Sequence, residues 1–147
     1  MSIDDDVAWL ERVPTFRVLG RESLRMLAIG SEQRDVPRDA RLFHLGEDAD
    51  SGFVVQRGSF RIEDDAGAEM IAGPGTLLGE LALVVAMRRP SSATALEYST
   101  VIRITRSLFQ RVLESDPAAA VRLRDEFATR TSQLASDILI AGGKLNT

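Results

Sequence analysis

The stretch Gly73-Pro74-Gly75-Thr76-Leu77-Leu78-Gly79-Glu80-Leu81-Ala82-Leu83, continued by residues 84–90 and then Ser91-Ser92-Ala93-Thr94-Ala95, decides how the rest of the chain is read. Glycines ahead of a short apolar, helix-like run let backbone N–H groups come close to an anion. The Gly-Lys-Ser/Thr of a P-loop is missing, so triphosphate hydrolysis is not indicated. Arg88 and Arg89 sit close by, and between Gly75 and Leu96 two arginines face one glutamate. The stretch is a locally positive patch in a protein whose formal net charge is −4.

Outward from this stretch the texture is that of short strands, from about residue 34 to 105. Arg41-Leu42-Phe43-His44-Leu45 precedes the turn-rich Gly46–Gly52, then Phe53-Val54-Val55-Gln56 and an Arg57-Gly58 turn follow. Ser59-Phe60-Arg61-Ile62 alternates as a half-buried strand does, and Asp64-Asp65-Ala66-Gly67 reads as a hairpin turn. Thr100-Val101-Ile102-Arg103-Ile104 is the last clear strand. Closely spaced strands with Gly/Asp turns indicate a barrel, roll or sandwich.

Both ends read as helix. Val7, Leu10 and Val13 fall at helical spacing before Pro14 interrupts, and Leu24, Leu27 and Ala28 repeat the pattern with Gly30 as a stop. After the strands, Ser107 is a candidate cap, and Asp116-Pro117 opens a longer helix expected to run to about Ala141, before Gly142-Gly143.

Composition narrows the chemistry. The 147 residues suit one domain of 44% hydrophobic content. Without cysteine there is no disulfide, thiol catalysis or Cys-zinc site, and the lone His44 leaves no multi-histidine metal centre. No cluster suggests acid–base catalysis, so neither catalytic nor metal-ligating residues are assigned. Asp48 and Asp50 lack the calcium-loop spacing and read as a turn. The acidic start and the short apolar run Leu81 to Met87 give neither a signal peptide nor a membrane span. A cytoplasmic protein with no cofactor, no DNA partner and no membrane partner is the expectation.

Gly79-Glu80-Leu81-Ala82-Leu83, followed by Pro90-Ser91-Ser92-Ala93-Thr94-Ala95, resembles the phosphate-binding cassette of the cyclic nucleotide-binding domain family. Gly46-Glu47-Asp48-Ala49-Asp50 and residues 54–59 look like that family's strand-turn elements, and the resemblance covers about Phe16 to Ala141. It implies an α+β, mainly β fold: an eight-stranded roll with N-terminal helices (1–33), a roll with cassette 75–96 inside 34–105, and closing helices (106–141).

For the site, the resemblance implies that Glu80 accepts a hydrogen bond from the ribose 2′-hydroxyl of cyclic AMP or cyclic GMP. Backbone N–H groups around Gly79, Leu81 and Ala82 would face the sugar-phosphate, and Ser92 would donate to the phosphate. An arginine should neutralise that phosphate. Counting forward from Gly79 puts Arg89 there; counting back from Ser92-Ala93-Thr94 puts Ser91 there, and the sequence leaves both registers open.

Along the closing helix, Ala120, Arg124, Phe127, Thr131, Leu134, Ile138 and Ala141 recur at alternating steps of four and three, the seam of a coiled-coil homodimer. The resemblance makes this helix a lid over the base, with Ser136 as the candidate contact. Bacterial relatives usually add a DNA-reading domain, for which Gly142 to Thr147 leave no room. The expectation is a stand-alone sensor that binds a cyclic nucleotide or related phosphate and signals to an effector protein. The alternative is a degenerate member that binds none and serves as a dimeric interaction module.

Overall fold

The computed structural model of the protein describes residues 2–128. Helix α1 (Ile3–Glu11) opens with the Ser2 hydroxyl accepting from the Asp5 amide, and Asp4, Asp5 and Asp6 lie in its first turn, where the helix dipole favours negative charge. Pro14 ends the helical path and starts a 3-10 turn (Pro14–Val18), after which α2 (Arg21–Gly30) follows. The strands are β1 (Glu32–Val36), β2 (Arg41–Phe43), β3 (Asp48–Ala49), β4 (Ser51–Arg57), β5 (Phe60–Asp64), β6 (Glu69–Ala72), β7 (Leu77–Leu78), β8 (Met87–Arg88), β9 (Ser91–Ala95) and β10 (Ser99–Thr105). A second 3-10 turn (Glu80–Leu83) lies between β7 and β8, and α3 (Arg106–Glu114) leads to a closing helix over residues 117–128.

Two antiparallel four-stranded sheets form the roll, in the orders β1-β10-β4-β7 and β2-β9-β5-β6, with β3 and β8 pairing as a small ladder. The roll thus has ten strand segments where eight are expected, because pairs as short as Asp48↔Arg88 and Ala49↔Met87 form inside loops that the sequence marks only as turns. The expected hairpin is present: β5 and β6 pair from Phe60↔Ala72 to Glu63↔Glu69 around Gly67, whose φ of 85° suits glycine.

Strand alternation divides the apolar residues between two cores. Phe53 and Val55 of β4 and Val101 of β10 point into the roll with Phe43, Phe60, Leu78, Ala93 and Ala95. Val54, Ile102 and Ile104 point the other way, onto the helices, and pack with Leu10, Phe16, Leu27, Phe109 and Leu123. Strand β4 is therefore buried on both faces, which is why Phe53-Val54-Val55 reads as an uninterrupted apolar run.

Some local expectations shift. The α3 cap is Thr105, whose hydroxyl accepts from the Leu108 amide; Ser107 lies one residue inside the helix. Strand β2 stops at Phe43, so His44 is exposed in the following turn beside Arg41 rather than on an apolar strand. Asp116 does cap the closing helix, accepting from the Ala119 amide at 3.2 Å. That helix meets its own roll through Ala119, Leu123 and Phe127. Of the seam positions, Phe127 is thus occupied within the domain and Arg124 is exposed, while residues from Thr131 onward, and Ser136 with them, lie outside the described residues. Among the described residues no helix is long and apolar enough to cross a membrane.

Candidate functional site

The cassette begins where β7 leaves the first sheet. Gly79 has φ 75° and ψ 34°, the left-handed conformation, and it hands the chain to the 3-10 turn Glu80–Leu83. A Cβ at Gly79 would stand 2.5 Å from Arg89 Nη1 and 3.2 Å from the Ser51 carbonyl oxygen. Glycine is thus required twice here, for the backbone angle and for the closeness of a guanidinium. Leu83 anchors the turn in the helix-side core, and Leu81 is half exposed.

Of the two candidates for the phosphate-neutralising position, Arg89 is the buried one. Its side chain turns into the roll and is only 5% exposed. The guanidinium carbon lies 4.4 Å from the Phe43 ring centre and 5.5 Å from that of Phe53. Nη2 donates to the Ser51 carbonyl at 2.9 Å, whereas Nε is buried with no hydrogen-bond partner. Burial holds the guanidinium below its ordinary pKa; Asp50 and Glu47 favour its charge from a distance, and Arg103 opposes it. Asp50 is itself ion-paired with Arg103 at 3.3 Å, and its carboxyl lies below the usual range because hydrogen bonding to Ser51 and the Arg103 charge outweigh the opposing desolvation. Among the described residues, no carboxylate reaches ion-pair distance of Arg89.

The remaining cassette residues divide by strand face. Ala93 and Ala95 point into the roll, and alternation puts Ser91 on their side. Ser91 borders a recess of about 310 Å³ with Ile62, Asp64, Ala68, Glu69 and Met70. Ser92 faces away, and its hydroxyl oxygen accepts from the Leu45 amide at 2.8 Å. The Ala82 amide likewise donates to the Gly79 carbonyl, closing the 3-10 turn. Glu80 accepts through Oε2 from the Thr15 hydroxyl, a partner supplied by the N-terminal 3-10 turn.

Sequence reasoning missed the residues that hold the site in shape. Ser51, Phe43 and Phe53 fix Arg89, and only the packing of β2 in one sheet against β4 in the other brings them together, with the Phe43 and Phe53 ring centres 6.0 Å apart. Arg106, the first residue of α3, donates from Nη1 to the carbonyls of Ala49 and Val85, both at 3.2 Å, so it ties the end of the cassette to the start of the closing helices. Across the described residues, no group of three or more metal-binding side chains forms.

A glycine-led turn inside a roll of two four-stranded sheets is the fold that the cassette resemblance implies. The model of the cyclic nucleotide-binding domain matches residues 33–116. The chain belongs to that family. Within the family, the domain is similar to a cyclic nucleotide-binding-like protein from Brucella abortus (37% identity, 76% of this chain and 99% of that one, TM-score 0.68). It is also similar to the N-terminal domain of a Streptomyces coelicolor transcriptional regulator (27% identity, 88% and 94% covered, TM-score 0.79). An uncharacterised NTE family protein of Mycobacterium tuberculosis is 35% identical over 111 residues, which are 74% of this chain and 19% of that protein. A cyclic nucleotide-gated potassium channel of Mesorhizobium japonicum is 29% identical over 124 residues, 84% of this chain and 34% of the channel. The chain therefore spans a fifth to a third of the length of these two relatives.

Proposed function

We propose that the domain is a sensor for a small phosphate-bearing ligand, cyclic AMP or cyclic GMP, received at Arg89. One observation carries the reading: a buried guanidinium with an unpartnered Nε and, among the described residues, no carboxylate at ion-pair distance. Buried charges are normally paired, so an anion is what this position lacks. A cyclic phosphate carries a single negative charge and matches a single guanidinium. Gly79 and the Leu81 amide at the head of the 3-10 turn would line the sugar-phosphate, Ser91 would lie on the same inner face, and Glu80 would accept from the ribose hydroxyl. Ser92 and the Ala82 amide keep their internal bonds in this reading. Because the two curated relatives carry the match as a minor part of a longer chain, we take the output to be a contact with an effector protein, reached through Arg106 and the closing helix.

Titration calorimetry and thermal shift with cyclic AMP and cyclic GMP test this. Nucleotide at 100 times its dissociation constant stabilises the fold by about 2.7 kcal/mol. Replacing Arg89 by Ala removes a charge-assisted bond of about 1.5–3 kcal/mol and weakens binding roughly 10- to 100-fold; Glu80→Gln weakens it less. Absence of heat and of any shift at millimolar nucleotide refutes the proposal. It would favour the interaction-module reading, which has one observation of its own. The Ser51 carbonyl and two phenylalanine rings already support Arg89, so the roll closes around the cation without a ligand.

A further inference from the structure

The N-terminal 3-10 turn Pro14–Val18 reaches the cassette through one side chain. Thr15 is 2% exposed, between the buried Val13 and Phe16, and its hydroxyl donates to Glu80 Oε2. The turn is pinned at its other end, where the Val18 carbonyl accepts from Arg122 Nε at 2.9 Å and Nη2 at 2.6 Å. Phe16 further locks it against Phe109 of α3, with ring centres 5.9 Å apart. This donor to Glu80 is therefore a short, stiff side chain on an immobilised backbone.

An ionised carboxylate has two oxygens and about four acceptor positions, so accepting from Thr15 is compatible with accepting from a ligand as well. A glutamate side chain left to itself loses much rotamer freedom when a ligand fixes it. One already held does not incur that loss on binding, and it presents its acceptor in one place.

We infer that Thr15 is a positioning residue: it presets the Glu80 carboxylate for a sugar hydroxyl and thereby sets the preference for a ribose over a 2′-deoxyribose ligand. The inference rests on the proposed nucleotide site and deepens it. Nothing in the cassette motif itself specifies Thr15, which lies 65 positions upstream of Glu80.

The test is calorimetry of wild type, Thr15→Val and Thr15→Ser with cyclic AMP and with 2′-deoxy cyclic AMP, repeated with the guanine pair, alongside thermal melts. Wild type should favour the ribose form roughly tenfold or more, the worth of a hydrogen bond to a charged acceptor. Thr15→Val should cut that preference severalfold while leaving the 2′-deoxy affinity within about twofold, and Thr15→Ser should restore it. Thr15→Ala stands in if the valine variant does not fold. An unchanged ribose preference in the variant overturns the inference, as does an equal loss for both ligands, which would mark a purely structural role. Failure of wild type to bind any of the four nucleotides overturns the nucleotide site itself, and this inference with it.

Discussion

Replacing Gly79 by alanine should uncouple the cassette from its arginine. Two costs can be separated. The left-handed backbone at φ 75° costs an L-residue about 1–2 kcal/mol. The new methyl would also sit 2.5 Å from Arg89 Nη1, closer than the 3.0 Å that real Cβ contacts respect, so the guanidinium must retreat. Retreat breaks the 2.9 Å bond from Nη2 to the Ser51 carbonyl, a hydrogen bond from a charged donor worth about 1.5–3 kcal/mol. The single variant should therefore lose about 2.5–5 kcal/mol in all. In an Arg89→Ala background only the backbone cost remains, about 1–2 kcal/mol. Urea denaturation of wild type, both single variants and the double variant closes a thermodynamic cycle. The expected coupling is about 1.5–3 kcal/mol, well above the roughly 0.3–0.5 kcal/mol within which independent sites add. A cycle that closes to within that margin would show that Gly79 and Arg89 do not touch, and the buried-cation reading of the cassette would fall with it.

Two further outcomes follow from the helix caps. Thr105→Ala should cost about 1 kcal/mol by removing the α3 cap, lowering the melting temperature by about 2–4 °C, whereas Ser107→Ala should leave it nearly unchanged; equal losses would refute the assignment. Hydrogen bonds from Ser23 and the Ala119 amide hold the Asp116 carboxyl below the ordinary aspartate range, so its contribution is present above that range and is lost as pH falls through the lowered folded value. Acid melts should therefore show Asp116→Asn less stable than wild type near neutrality and converging with it at the lowest pH, and parallel curves would contradict the linkage.

Helix faces and glycine turns were legible in the sequence, and short strands were not. Leu10, Leu27 and Phe109 are core residues whose helical spacing reports which face is buried, and Gly67 marks its hairpin because few other residues tolerate its backbone angle. The Gly79–Leu83 motif likewise located the cassette. The β3–β8 ladder was illegible because two-residue strands have no periodicity to read. The exposed position of His44 was illegible for another reason: strand β2 ends after three residues, although the apolar pattern continues to Leu45. Ser107 looked like a cap because serine often is one; Thr105 takes the place because β10 delivers it to the helix start with extended backbone.

By itself, the sequence determined the family, the order of helix, roll and helix, and the glycine-led turn of the cassette, since these depend on local spacing and on backbone angles that particular residues favour. Only the tertiary structure decided which residue is the buried cation, because that depends on where β8 and β9 place their faces relative to Phe43, Phe53 and Ser51. It also turned Ser92 outward and joined Thr15 to Glu80 across 65 positions. Contacts of that kind are made by strands and turns meeting in space, and no local pattern along the chain encodes them.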